Sequence, residues 1–539
     1  MDFKKRSKKA ISFLENSQLN LKTWLVSFLA LISIRLLVES LLLGFPEKNL
    51  ESFLTLFAHT FSFFLLTYLI FLIFLTTLVK EDFKKVASFL LWGFGIIIFP
   101  PIVDKLIFQG DIYKSFYIFD SFVGLIGRFF VFFGENPDWG ITWGTRVNII
   151  ISLFFISWYV YLKTKNKKKI LIGLIGGYVL FFVLSCFPSF VVYFLELGSF
   201  MKVSYLTVAG YFMTPFSVFG LKNLALEIFL GKKLALIYLP LVFVLLLGFF
   251  YKINSNKIIS LIKNLRYPQL IFNLGLLFMG LGLGCFYNPS VFQIDFFSIL
   301  VLINLGLLVL SVWFFSVLVN DLSDVNIDKI TNKNRPLIKK EVSIDEYNNY
   351  IQTFFCFSIL TAALISPVIL VVVVSYHLLT WVYSCYPFRL KRFIGVSSVL
   401  ISLASLNFLV IGFMIFSENQ TLTNFPWRVY WFLFLAYLLI TPLKDLKDLE
   451  GDRKNQIYTL VVLIGKEKTR LLVASFLFSF YLVSVYILNK QELFLMALFF
   501  GTISFLIITN PSVNERKLNG WILGLVFIYG VWVVKTIFL

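Results

Sequence analysis

The stretch Asn320–Asp328 reads NDLSDVNID and begins where a long apolar run, Phe296–Val319, stops. It therefore lies at the end of a membrane helix. An α-helix turns ~100° per residue, so positions three, four and seven apart share a face. That spacing predicts Asp321, Asp324 and Asp328 stacked on one side, with Asn320 joining them through Asp324. Three carboxylates and an amide so placed repel one another unless a cation sits between them. Oxygen-only ligands suit a hard divalent ion such as Mg²⁺, which usually arrives with phosphate attached.

A second acidic run follows about 120 residues on. Lys444–Asn455 reads KDLKDLEGDRKN and again closes an apolar run, Tyr430–Leu443. Asp445, Asp448 and Asp452 have the i, i+3, i+7 spacing of one helical face. Two Asp-rich faces at helix ends form a pair of jaws able to hold a diphosphate through bridging metal ions.

Composition sets the class. The chain of 539 residues is 59% hydrophobic and 14% charged, with a mean hydropathy of +0.87. Apolar runs of membrane-spanning length recur throughout. The fold expected is an all-α polytopic membrane protein. The net charge of +19 falls mainly in short loops between apolar runs. That is the signature of cytoplasmic loops facing anionic membrane lipid, not of nucleic-acid binding. The four cysteines (Cys186, Cys285, Cys356, Cys385) include no CxxC pair, so neither a disulfide framework nor a zinc site is expected. The start, MDFKKRSKKAISFLENS, lacks the apolar core of a signal peptide and reads as a basic cytoplasmic face.

In residues 1–255, spans are expected at about 23–45, 54–79, 87–107, 146–163, 170–195, 204–220 and 235–250. Seven spans from a cytoplasmic start would leave the basic stretch Lys252–Arg266 outside, against the charge rule. One of them must fail, and the Pro- and Gly-interrupted region 186–234 is where that is expected. Residues 108–145, with Asp111, Asp120, Arg128, Asp138, Trp139 and Trp143, suggest an amphipathic or re-entrant piece. Arg35 and Glu39, four apart, can neutralise one another. Asp104–Lys105 and His59 read as structural. No stacked-aspartate motif occurs in this half, which forms a separate multi-span domain of no assigned role. Residues 256–266 form a basic amphipathic linker.

Residues 267–539 accommodate nine spans, at about 268–286, 296–319, 350–369, 370–384, 395–416, 428–443, 470–488, 491–509 and 519–538. Starting from the cytoplasm, the loops carrying NRPLIKK, FRLKR, KDLKDLEGDRK and NERK all land inside. Both acidic runs then share one side with the loop Tyr383–Arg392 (YSCYPFRLKR). A diphosphate leaving group needs cations beyond the metals, and Arg335, Arg389, Lys391 and Arg453 are the candidates. Topogenic charge at lipid headgroups is the plainer explanation for each.

NDLSDVNID with NKNRPL, then YSCYPFRLKR, then KDLKDLEGDRKNQIYTLVVLIG resembles the UbiA superfamily of intramembrane prenyltransferases in motif order, spacing and nine-span frame. The resemblance covers about residues 262–539 and leaves the first half outside. It implies a nine-helix bundle around a cavity open to lipid, with two Mg²⁺ ions. Asn320, Asp321, Asp324 and Asp328 would hold them on one side, and Asp445, Asp448 and Asp452 on the other. It implies a polyprenyl diphosphate donor, its tail in an apolar tunnel, and an aromatic or hydroxyl-bearing lipid acceptor. Lys391 would act on the diphosphate, and Tyr383 or Tyr386 would shield the developing allylic cation. The site would face the cytoplasm of a prokaryotic cell. Two alternatives stand beside this. A phosphoribosyl-type transferase of the same superfamily is disfavoured by KITNKNRPL, which lacks His. A transporter is disfavoured because the acids cluster at helix ends and not at the bilayer midplane.

Overall fold

The structure is a computed structural model. It describes residues 2–17, 20–43, 50–108, 121–134, 141–198, 200–216, 226–289, 295–417, 420–454 and 457–538. Asp111, Asp120, Asp138 and Trp139 lie outside the described residues. Among those described no β-strand forms, and only Ser121 and Ser204 make an isolated bridge. The chain packs as two compact units, the first ending at Leu247 and the second running from Gly248 to Leu539.

The first unit contains α1 (Asp2–Glu15), α2 (Leu21–Leu43), α3 (Leu50–Val79), α4 (Phe83–Gly93), α5 (Pro100–Phe108), α6 (Phe122–Phe130), α7 (Trp143–Thr164), α8 (Lys167–Ser185), α9 (Phe187–Leu195), α10 (Tyr205–Phe212) and most of α11 (Leu226–Ile253). Polar side chains start these helices. Asp82 accepts from the Lys84 amide before α4, and Asn166 from the Lys168 amide before α8. Basic α1 is tied to α7 by Glu15, which accepts from Tyr159 at 2.8 Å and from Lys163 at 2.7 Å. Arg35 and Glu39 pair at 3.3 Å, as their spacing suggests. Among the described residues of this part, six apolar segments are long enough to cross a membrane, where seven were expected. The span expected at 204–220 fails. Its described part is the eight-residue α10, which stops before Thr214–Pro215, and a residue preceding proline is pushed out of the helical region. Residues 217–220 lie outside the described part.

The second unit contains α12 (Ser255–Lys263), α13 (Tyr267–Tyr287), α14 (Phe296–Ser323), α15 (Val325–Thr331), α16 (Ile344–Ile365), α17 (Pro367–Ser384), α18 (Val396–Phe416), α19 (Trp427–Ile440), α20 (Leu449–Lys454), α21 (Leu460–Ile464), α22 (Lys466–Ile487), α23 (Phe494–Thr509) and α24 (Glu515–Phe538). Among the described residues, eight helical segments long enough to cross a membrane (those containing α13, α14, α16–α19, α22 and α23) and the shorter apolar stretch of α24 fall on the nine expected spans. One boundary moves: α16 ends at Ile365 and α17 begins at Pro367, with Ser366 accepting from the Ile369 amide. Pro at the first helical position and Ser before it form a helix-start pair.

The basic linker is not a free strap. Ile258, Leu261 and Leu265 bury against Phe314, Val317 and Leu318 of α14 and Tyr347 of α16. Helices α13 and α18 cross at glycines. A Cβ on Gly280 would sit 2.1 Å from the Leu409 carbonyl oxygen, and one on Gly412 would sit 2.2 Å from that of Leu277. With no hydrophobic force between helices in lipid, such close backbone contact supplies the packing.

Candidate active site

Helix α14 ends at Ser323, with Asp324 as the turning residue before α15. The first acidic run therefore spans two helices. The second is not a plain α-helix either. Residues Thr441–Asp448 form a 3₁₀ helix that passes into α20. At three residues per turn, positions i and i+3 eclipse, so Asp445 and Asp448 line up more closely than on an α-helical face. The two runs meet through Gly451. A Cβ there would lie 2.8 Å from Thr331 Cγ2 and 2.9 Å from Ile327 Cγ2, so only glycine lets α20 approach α15 this closely.

Between them lies a cavity of about 210 Å³. Asn320, Asp324, Asp328, Asp445, Asp448 and Asp452 line it, as do Arg335, Tyr383 and Lys391. Asp324 is the hub of its cationic wall. It accepts from Lys391, from Arg389 Nη2 at 3.2 Å and from Asn320 Nδ2 at 2.9 Å. Asn332 joins the two runs, its Nδ2 donating to Asp328 at 2.9 Å and to Asp448 at 3.0 Å. Lys444 donates to Tyr383 Oη at 2.9 Å and sits 5.1 Å from the centre of its ring.

Four expected residues stand off the cavity lining, and of these Arg389 reaches it through Asp324. Asp321 does not line the cavity. It is 1% exposed, and Arg266 (2.6 Å), Arg335 (2.8 Å) and Asn264 (2.6 Å) occupy its oxygens. A buried carboxylate is tolerable only when paired and hydrogen-bonded, and Asp321 is both. The carboxylate ties down two arginines. Tyr386 is 68% exposed and accepts from Arg389 Nη1 at 2.8 Å. Arg453 is exposed on α20 and lies off the cavity wall.

The cavity also recruits groups the sequence reading passed over. Arg266, Asn332, Lys444 and Lys447 all line it. Arg266 donates to Asn320 at 3.1 Å as well as to Asp321. In the sequence it is one more basic linker residue. Lys444 and Lys447 lie inside the quoted acidic run, where the aspartates draw the eye.

The donor set fits Mg²⁺. Asp324, Asp328, Asp445, Asp448, Asp452 and Asn320 offer only oxygens to one cavity. Asp452 is 7% exposed and has no ion-pair partner among the described residues. Among those residues no three acidic, His or Cys side chains are yet drawn together around a point. The carboxylates rest on cations and amides of the chain. Burial pushes Asp328 up to about 6, with Arg335 opposing that rise and Asp321 adding to it. Burial likewise lowers Lys391, against the pull of Asp324.

Two expectations follow. Asp321→Asn is expected to raise the donor KM about tenfold, because the arginines lose their anchor. The Mg²⁺ concentration for half-maximal rate should stay unchanged; a parallel rise in it would make Asp321 a metal ligand. The second concerns pH. A carboxylate must be ionised to hold a divalent ion, and Asp328 is protonated below about 6. Mg²⁺ demand should therefore grow as pH falls, by about fourfold at about pH 5.5 relative to neutrality. Magnesium titrations of turnover at the two pH values measure this, and an equal demand at both would remove Asp328 from the metal set.

Beyond the charged cavity lies an apolar one of about 280 Å³, lined by residues of α13, α19, α22 and α24. Tyr437 and Ile440 line both. A charged pocket thus adjoins an apolar one.

Residues 293–531 match the model of the UbiA prenyltransferase family. That segment is a UbiA-family domain. The match falls inside the stretch from 262 to 539 that the motifs mark, and the first half of the chain lies outside it. The UbiA-family half is 31% identical over 154 residues to a digeranylgeranylglyceryl phosphate synthase of Methanosphaera stadtmanae, covering 29% of this chain and 54% of the relative. It is 30% identical to a homogentisate phytyltransferase of Synechocystis, covering 28% of this chain and 50% of that one. The chain spans about half the length of the curated relatives it matches. Among solved structures, a UbiA homolog from Archaeoglobus fulgidus bound to GPP and Mg²⁺ aligns at 20% identity and a TM-score of 0.38, covering 51% of this chain and 99% of that one. The long apolar helices and the family together make this an integral membrane protein.

Proposed function

We propose that the UbiA-family domain transfers a polyprenyl group from a prenyl diphosphate to an aromatic or hydroxyl-bearing lipid acceptor within the membrane. The observation that carries this is the pair of adjoining cavities, one walled by five carboxylates and several cations, the other apolar. A prenyl diphosphate has that polarity along its length. Relatives named as digeranylgeranylglyceryl phosphate synthase and homogentisate phytyltransferase support the reaction class.

Asp324, Asp328 and Asn320 on one side, and Asp445, Asp448 and Asp452 on the other, would hold two Mg²⁺ ions. Bound Mg²⁺ neutralises charge that builds on the departing diphosphate. The chain's own residues do the rest. Arg335 and Arg389 offer forked donors to phosphate oxygens, and Lys391 and Lys444 offer point charges. As the allylic C–O bond breaks, Tyr383 and Tyr437 present ring faces beside the allylic carbon, shielding its positive charge. The acceptor forms the new bond to that carbon and releases a proton, and the diphosphate leaves with the electron pair. Apolar walls keep water from the cation. The basic loops support a cytoplasmic location for this end of the bundle, in a prokaryotic cell membrane.

The test is turnover of labelled geranylgeranyl diphosphate by the full chain in lipid, with Mg²⁺ or with EDTA, against a lipid and small-aromatic extract. A Mg²⁺-dependent prenylated product, identified by mass, is expected. Neither donor binding nor product at any donor length would overturn the proposal.

A further inference from the structure

The first unit contains a cavity of its own, of about 160 Å³, walled by residues of α2, α3, α4, α7 and α8. Phenylalanines form much of its wall, with Phe71 and Phe181 in ring contact at 4.5 Å and Phe64, Phe89 and Phe155 beside them, and leucines and isoleucines fill in between. Two polar atoms stand out against this lining. Arg35 Nη1 and Asn148 Oδ1 are both buried and have no hydrogen-bond partner among the described residues. One is a donor and the other an acceptor. Buried polar groups are nearly always satisfied, and each exception calls for an explanation. Two opposite exceptions in one aromatic pocket have a common explanation, a ligand group that accepts from the arginine and donates to the amide.

Charge narrows the class. Arg35 already pairs with Glu39 at 3.3 Å. Nearby, Asp104 is fixed, accepting from the Gly144 amide at 2.6 Å. Gly144 sits so close to α5 that a Cβ would lie 2.1 Å from the Pro100 carbonyl oxygen, so this corner of the cavity is rigid. An anionic head would add a second negative charge beside one arginine. A neutral hydroxyl, with one donor and two lone pairs, meets both orphaned atoms without doing so. Size narrows it further. A cavity of about 150 Å³ lined by apolar side chains takes a benzene ring.

We propose that this cavity is a binding site for a neutral phenolic ring, with its hydroxyl between Arg35 and Asn148 and its ring among the phenylalanines. Phe155, which lines the cavity, is 45% exposed. The site lies outside the family-matched segment and does not depend on the reaction assigned to that segment.

The test uses the full chain in lipid nanodiscs and 4-fluorophenol as the probe, read by its ¹⁹F signal against empty discs. Saturable binding above the lipid background is expected. p-Cresol should displace the probe, whereas toluene, which lacks the hydroxyl, and benzoate, which is charged, should not. Asn148→Leu and Arg35→Met should each weaken binding about tenfold, and Asp448→Ala should leave it unchanged. If Arg35→Met does not insert, Asn148→Leu and the cavity-filling Ser152→Leu decide. No saturable signal, displacement by toluene or benzoate as good as by p-cresol, or unaltered binding in Asn148→Leu would each overturn the site. Loss of binding in Asp448→Ala would move it to the other unit and overturn it as well.

Discussion

Asp448→Ala is expected to lower kcat/KM for prenyl transfer about 10³-fold while the protein stays folded in membranes. The side chain lines the charged cavity, and Asn332, which it shares with Asp328, holds it there. Removing it leaves Asn332 bonded to Asp328, so the local structure keeps an anchor. What disappears is one of the oxygens facing the donor head. The companion change needs more care. Asp324 neutralises Lys391 and Arg389, and Lys391 is only 6% exposed. Truncation to alanine would strand two cations, a loss of about 3–5 kcal/mol in buried pairs. Asp324→Asn keeps the shape and removes the charge, so its effect reports on the chemistry. Turnover and Mg²⁺-dependent donor binding, measured on both variants beside a thermal midpoint, separate chemistry from folding. Near-normal turnover in Asp448→Ala would mean that the second acidic run takes no part.

The other large effect lies far from any charge. Gly280→Val should prevent the second unit from assembling, at a cost above about 3 kcal/mol. The obstruction is backbone. The new Cβ would meet the Leu409 oxygen at 2.1 Å, the Leu409 carbonyl carbon at 2.9 Å and the Phe413 nitrogen at 3.0 Å. No rotamer relieves that contact, and only parting α13 from α18 would. Gly282 is two residues along the same helix and has nothing within 4 Å of its Cβ position. Gly282→Val is the internal control and should give a monodisperse peak on detergent size exclusion where Gly280→Val gives aggregate. Equal behaviour of the two would show that the close crossing is not what holds these helices together.

Much of this was legible in the sequence, for a physical reason. A span is a local property, an apolar run of sufficient length, and the nine expected runs each coincide with an apolar helix among the described residues of the second unit. The aspartates that line the cavity were legible because their spacing is also local. Asp321 was not. Its neighbours Asn264 and Arg266 are more than fifty residues away in the chain, and no periodicity announces a contact made by folding. The same holds for Asn332, whose bridge to Asp448 crosses 116 positions. The 3₁₀ conformation of Thr441–Asp448 was also out of reach, since it keeps the i, i+3 spacing an α-helix would show. In the first unit the failed span at 204–220 left a trace, the parity conflict with the basic stretch after it. Among the described residues six long apolar segments are found there, an even number.

The contact between Lys391 and Asp324 has a consequence for the order of events. In this structure the lysine's charge is engaged by a carboxylate. An anion arriving alone must compete with Asp324 for Lys391, and a divalent cation arriving alone must compete with Lys391 for Asp324. Arriving together, each releases the partner the other needs. The two ligands should therefore bind with positive cooperativity. Since such coupling is reciprocal, the factor by which the metal tightens the diphosphate equals the factor by which the diphosphate tightens the metal.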